Sequence, residues 1–209
     1  MDKYYLLTQS LTKGISIAWT PDIHQISHEL IPVLDGVNEL PYELNLKSAA
    51  LRKGDIVLND NLVGLRYIWV DLQPNNLAWY LISERFKEVI ENHLTGEEDI
   101  DWIKAKVNGN NESRIYYILR FNKMHDVLDY DKSLFNSGSG WLIKPCFSLN
   151  KIKHYTIFGM PSKYDLWKIP SSVFVSERLK KAIKIAKLVG IGFEETFVSH
   201  LSRLTSHSS

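Results

Sequence analysis

The chain is 209 residues long, 44% hydrophobic and 23% charged, with a formal charge of +1. That length supports one substantial hydrophobic core, and the composition lies far from the low-hydrophobicity, high-charge range in which chains stay disordered. Near balance of charge excludes a global field that attracts nucleic acid or an anionic membrane, so electrostatic recognition has to be local.

The single cysteine, Cys146, excludes an intramolecular disulfide framework and a cysteine-rich zinc site, and it fits a reducing compartment. No apolar run reaches the roughly 18 to 20 residues that a membrane-spanning helix needs. Met1-Asp2-Lys3-Tyr4-Tyr5-Leu6-Leu7 has neither the basic region nor the small-residue cleavage site of a secretion signal. A cytoplasmic location is therefore expected.

Lys3–Thr8 and Gly14–Thr20 read as strands, and the Thr-Lys-Gly turn between them suits a hairpin. A short helix is expected from Asp22 to about Leu30, limited by Pro32. The stretch to Asn61 has little periodicity. Leu62–Leu72 is the strongest strand signal of the first third and runs into the turn Gln73-Pro74-Asn75-Asn76.

Ala78–Ile82 reads as a strand that feeds a helix over Glu84–Asn92, with Ser83 placed to cap the free amides and Phe86, Val89 and Ile90 as its apolar stripe. Asp101–Val107 and Ser113–Phe121 flank Asn108-Gly109-Asn110-Asn111, a strong hairpin signal. Trp141–Lys144 and Tyr155–Met160 are further strands, and Ser137-Gly138-Ser139-Gly140 is a flexible loop. The fold class is α+β, with a mostly antiparallel sheet. One domain is expected, its length permitting two lobes, 1–72 and 73–198, followed by a Ser- and His-rich tail, 199–209.

An internal echo bears on organisation. Leu81-Ile82-Ser83-Glu84-Arg85-Phe86 returns as Phe174-Val175-Ser176-Glu177-Arg178-Leu179. Each copy reads as strand, serine cap and amphipathic helix, followed by Gly96 or Gly190 where the helix should stop. Two related strand-helix units packed on the sheet are the expectation.

Signals for chemistry are weak. His24 and His28 have the spacing of a metal pair on a helix, but no third ligand is evident and Gln25 stands where a zinc protease needs Glu. Asp126, Asp129 and Asp131 do not match a calcium loop, which needs a glycine turn and a terminal Glu. Cys146 has no activating neighbour in sequence, and no phosphate-cradling or nucleophile-elbow pattern occurs. Trp79 and Trp102 flank an acidic segment, so core packing suits them better than base stacking.

That segment is the clearest local charge signal. Glu84, Glu88, Glu91, Glu97, Glu98, Asp99 and Asp101 face only Arg85 and Lys87, whereas Arg178, Lys180, Lys181, Lys184 and Lys187 dominate the second helix. Charge runs are usually solvated faces. The functional alternative is docking of a basic partner on Glu88, Glu91, Glu97, Glu98, Asp99 and Asp101.

Several phrases occur together in one order: Gln73-Pro74-Asn75-Asn76 with Trp79, Ser83-Glu84-Arg85, Tyr116-Tyr117, Leu128-Asp129 with Ser133, Trp167-Lys168-Ile169, and Val175-Ser176-Glu177-Arg178-Leu179-Lys180 ahead of Gly190 and Phe193. With these the chain resembles the α+β immunity proteins of bacterial polymorphic toxin systems, the groups catalogued as immunity protein forty-three and immunity protein eleven. Residues 1–60 carry no matching phrase. The resemblance implies a cytoplasmic antidote that binds a cognate secreted toxin's catalytic domain and occludes its active site. It supplies no catalytic residues to carry over; from the residues themselves no cofactor, metal, nucleic-acid or membrane partner is expected, and the oligomeric state is open. The alternative is an enzyme using the Asp126–Asp131 segment.

Overall fold

The computed structural model describes residues 3–10, 14–21, 27–52 and 55–199. The first half carries β1 (Tyr4–Gln9), β2 (Ile17–Trp19), α1 (Ser27–Val33), β3 (Leu44–Arg52), β4 (Asp55–Asn59), β5 (Leu72–Gln73), β6 (Leu81–Ser83), α2 (Glu84–Glu91) and β7 (Ile100–Gly109). The second carries β8 (Glu112–Phe121), β9 (Leu134–Phe135), β10 (Leu142–Lys144), β11 (Phe147–Ser148), α3 (Leu149–Ile152), β12 (Ile157–Gly159), β13 (Val173–Ser176), α4 (Glu177–Ile185), β14 (Ile191–Glu195) and β15 (Val198–Ser199).

The larger sheet runs β2-β3-β7-β8-β6-β5, with β4 paired on β3, and the smaller runs β12-β13-β1-β14. Pairing between these strands is antiparallel except where β3 meets β7 and β11 meets β15. The expected α+β, mostly antiparallel class is what the chain adopts. Helices α2 and α4 pack on each other over a core to which both sheets contribute: Tyr5, Leu7, Ile82, Phe86, Ile90, Leu119, Val175, Leu179 and Ile183. Both helices lay a narrow apolar stripe on that core, Phe86 and Ile90 from one, Leu179 and Ile183 from the other.

Several local expectations are corrected. β1 and β2 do not form a hairpin; β1 lies between β13 and β14 while β2 pairs with β3, so the two flank different cores. Residues 11–13 of the intervening turn lie outside the described residues, as do residues 22–26, most of the expected first helix. Its described part, α1, passes Pro32 and ends one residue later. The aperiodic stretch before Asn61 contains the β3–β4 hairpin.

Leu62–Asp71 forms no strand, and Leu72 opens β5. Gly64 adopts a left-handed φ of +85°, and the segment packs Leu62, Leu65, Ile68 and Trp69 into a core while its backbone bonds to scattered partners. Tyr67 N–H donates to the Gly14 carbonyl and Asp71 N–H to that of Val189. Burial, not pairing, is what its hydrophobicity serves. The turn at 73–76 does not separate two sheets either: β1 joins the later strands, and β2 and β3 share the larger sheet with β5 to β8.

The β7–β8 hairpin turns on Asn110 and Asn111, with φ of +51° and +61°, one step beyond Asn108-Gly109. Gly109 is instead a site of close approach, since a Cβ there meets Leu46 at 2.7 Å. Neither Gly96 nor Gly190 ends a helix, because α2 and α4 are capped earlier by Asn92 and Ala186.

Candidate functional site

Ser83 and Ser176 both act as N-caps, accepting from the Phe86 and Leu179 amides at 3.3 Å. Around these caps the surroundings correspond. β6 lies between β5 and β8, and β13 between β12 and β1, which sets Ile82 opposite Tyr117 and Val175 opposite Tyr5. Lys87 Nζ stands 5.0 Å from the Tyr117 ring centre and Lys180 Nζ 3.3 Å from that of Tyr5. The Glu177 carboxylate and then burial push the Tyr5 phenol up to about 12, and burial followed by Glu84 does the same to Tyr117. Both hydroxyls therefore stay protonated beneath a helix.

The acidic run leaves this helix pair at α2 and enters β7. Glu88, Glu91, Glu97 and Asp99 are exposed. Glu91 is engaged laterally, accepting from Lys87 at 3.2 Å and from Trp102 Nε1 at 2.9 Å. Glu98, counted by charge with the surface acids, is fully buried. Its Oε2 accepts from Thr95 N, Thr95 Oγ1 and Gly96 N, and its Oε1 accepts from Thr156 N at 2.6 Å. It clasps the loop before β7 to the start of β12, because four donors replace the water a buried carboxylate gives up.

Asp101 is half-buried and committed to an ion pair, taking two 2.7 Å bonds from Arg120. Arg120 is 6% exposed and also donates to the Leu34 and Val37 carbonyls and to Asn38 Oδ1, fastening the 34–38 loop to β8. Of the six acids, four face outward and two hold the fold.

The aspartates of Asp126–Asp131 do not converge. Lys151 Nζ pairs with Asp126 at 2.8 Å and Lys132 Nζ with Asp129 at 3.6 Å. Among the described residues no three His, Cys, Asp or Glu side chains gather as a metal site requires. His24 lies outside the described residues, and His28 is exposed on α1. Cys146 is half-buried, its backbone pinned by Ser133 at both N–H and carbonyl.

A cavity lies beside that aspartate segment: an open cleft of about 460 Å³ walled by Met124, Leu128, Phe135, Trp141, Leu142 and Met160. Large apolar side chains remain uncovered around it, with Tyr130 61%, Ile143 59% and Trp141 47% exposed. The 137–140 segment, expected to be flexible, is a tied turn. Asn136 Oδ1 accepts from Gly138 N, Ser139 N and Ser139 Oγ, and Asn136 N–H donates to the Trp141 carbonyl.

His125 closes the inner side, its Nε2 2.8 Å from the Glu98 carbonyl, which makes it the donor there. Burial pushes the His125 imidazole below its ordinary value, so this wall is uncharged at neutral pH. The cleft and the acidic run are neighbours: Asn122 N–H donates to the Asp99 carbonyl, two residues before Met124.

With this geometry the sequence comparison is decisive for family, since the model described as Immunity protein family (Imm11) matches residues 60–197. The chain belongs to the Imm11 immunity protein family. The match contains both strand-helix units, the outward-facing acids and the whole cleft, while β1 to β4 of this Imm11 protein lie before it. No curated protein matches the chain. Among the described residues no helix is long and apolar enough to cross a membrane.

The cleft was not found from sequence. Met124, Tyr130, Trp141 and Ile143 are spread over loops and the short strand β10, too brief for a periodic signal, and hydrophobicity alone does not distinguish an uncovered side chain from a buried one. The available signal was the density of large apolar residues around the Ser-Gly-Ser-Gly turn, where a core has few elements on which to form.

Proposed function

We propose that this Imm11 protein is a cytoplasmic immunity protein that binds the catalytic domain of a cognate secreted toxin and blocks its active site. Family membership carries the reading. The structure supports a binding role, since it offers an uncovered apolar cleft beside a solvated acidic ridge. Inhibition works by exclusion: a standard interface of about 1,200 to 2,000 Å² is large enough to cover an enzyme's active site. Glu88, Glu91, Glu97 and Asp99 steer a basic partner surface toward it, without Glu98, which is buried, and Asp101, whose charge is paired with Arg120.

We also read the β5-β6-α2 and β12-β13-α4 units as related copies, a reading supported by their matching caps, lysine–tyrosine contacts and flanking strands. The test of function is native mass spectrometry of the chain purified from its own host with the neighbouring genes expressed. A one-to-one complex with a toxin's C-terminal domain is expected. Recovery of the free chain alone, with those neighbours shown to be expressed, contradicts the proposal.

A further inference from the structure

The outward-facing acids supply long-range attraction, but exposed charge alone gives little affinity. A tight inhibitor needs a desolvated anchor near the centre of its interface, typically an aromatic or aliphatic side chain in a pocket. We infer that the cleft between Met124, Leu128, Phe135, Trp141, Leu142 and Met160 seats an apolar side chain of the toxin domain, flanked on one side by a carboxylate that meets Lys163. This inference rests on the immunity reading and gives it a surface.

Three features carry it. Contiguous uncovered apolar surface is unusual on a monomer and marks an interaction site; here it gathers Met124, Tyr130, Trp141 and Ile143 around one cavity. The walls are held in advance, by the Asn136 turn and by stacking of Tyr130 on Phe135 at 5.9 Å, which lowers the ordering cost of binding.

Charge then selects the partner's chemistry. Asp126 is neutralised by Lys151, whereas among the described residues the Lys163 ammonium bonds the Ser139 carbonyl at 3.0 Å, 5.5 Å from the Trp141 ring centre, with no carboxylate beside it. Lys123 and Lys144, adjoining the lining, have no carboxylate partner among the described residues. The complement of this rim is acidic next to apolar.

Of the polar groups in the lining, His125 is engaged with the Glu98 carbonyl and Asp126 with Lys151, which leaves the Lys163 ammonium as the handle for a partner's carboxylate. The anchor side of the cleft is continuous with the acidic ridge through Asn122 and Asp99, so one partner covers both.

The experiment is calorimetric titration of the full chain with the purified toxin domain encoded beside it, comparing wild type with Trp141→Glu, Lys163→Glu and the control Val63→Glu. Val63 is 89% exposed and outside the cleft. Trp141→Glu is expected to weaken binding at least about thirty-fold, as at interface hot spots. Lys163→Glu, an exposed position that keeps the fold, is expected to weaken it about five-fold or more. Val63→Glu is expected to change nothing.

Wild-type affinity in both cleft variants overturns the inference while leaving the immunity reading intact. No binding by the wild-type chain overturns both. If Trp141→Glu changes only the sedimentation of the chain by itself, the cleft is a contact between two copies and the inference is overturned.

Discussion

Arg85 and Arg178 hold reciprocal positions: Arg85 Nη2 donates to the Ala186 carbonyl at the end of α4 at 3.0 Å, and Arg178 Nη2 donates to the His93 carbonyl just past α2 at 2.5 Å. Each arginine sits in the first turn of one helix and satisfies a carbonyl at the end of the other, where orphan acceptors and the negative pole of the dipole favour a cation. Replacing either with Ala is expected to lower stability in urea unfolding. Both are exposed; Arg85 should lose about 0.5 kcal/mol and Arg178 about 1 kcal/mol, because Arg178 also donates to the part-buried Thr156 Oγ1. Equal, negligible losses at both sites contradict a capping role.

Arg120→Met keeps much of the side-chain volume but strands Asp101 and the Leu34 and Val37 carbonyls. Asp101 is 37% exposed and can be rehydrated, so the cost falls below that of a fully buried pair and comes mainly from the two carbonyls left without a donor, about 2 to 3 kcal/mol in chemical denaturation. A loss under about 1 kcal/mol would show that water replaces the guanidinium.

How far the sequence reveals this arrangement depends on where the information resides. Ser83, Ser176 and the α2 and α4 stripes were legible because capping and helical periodicity are local. The apolar run at 62–71 misled because its residues fill a core without forming a strand, a tertiary choice that strand propensity does not encode. Glu98 was indistinguishable from Glu97 by charge. Only the donors of Thr95, Gly96 and the distant Thr156 decide which of the two turns inward.

His125 links stability to pH. Its folded-state value lies below the ordinary 6.5, owing first to burial and then also to Lys123, with the Glu98 carbonyl opposing. Below about 6.5 the unfolded chain takes up a proton that the folded chain resists, so stability falls as the pH drops from there toward the folded value and then levels. His125→Gln retains an amide donor toward Glu98 and is expected to show a shallower loss between pH 6.5 and 5 in denaturant titrations. An unchanged slope assigns the acid sensitivity to other groups.

Glu88→Lys with Glu97→Lys alters exposed carboxylates without a buried bond. Melting temperature is expected to stay close to wild type. If these acids steer the toxin domain, association measured by stopped flow at low salt should slow about ten-fold and lose much of its ionic-strength dependence. An unchanged rate removes the ridge from the encounter surface.

The central claim, that this Imm11 protein inhibits by occupying its toxin, is tested most directly by titrating toxin activity with the purified chain. Occlusion predicts a linear fall that reaches its floor at one molecule per toxin domain and is reversed when the complex is separated. Complete neutralisation by a small fraction of an equivalent, persisting after separation, would contradict it and show that the chain acts as a catalyst.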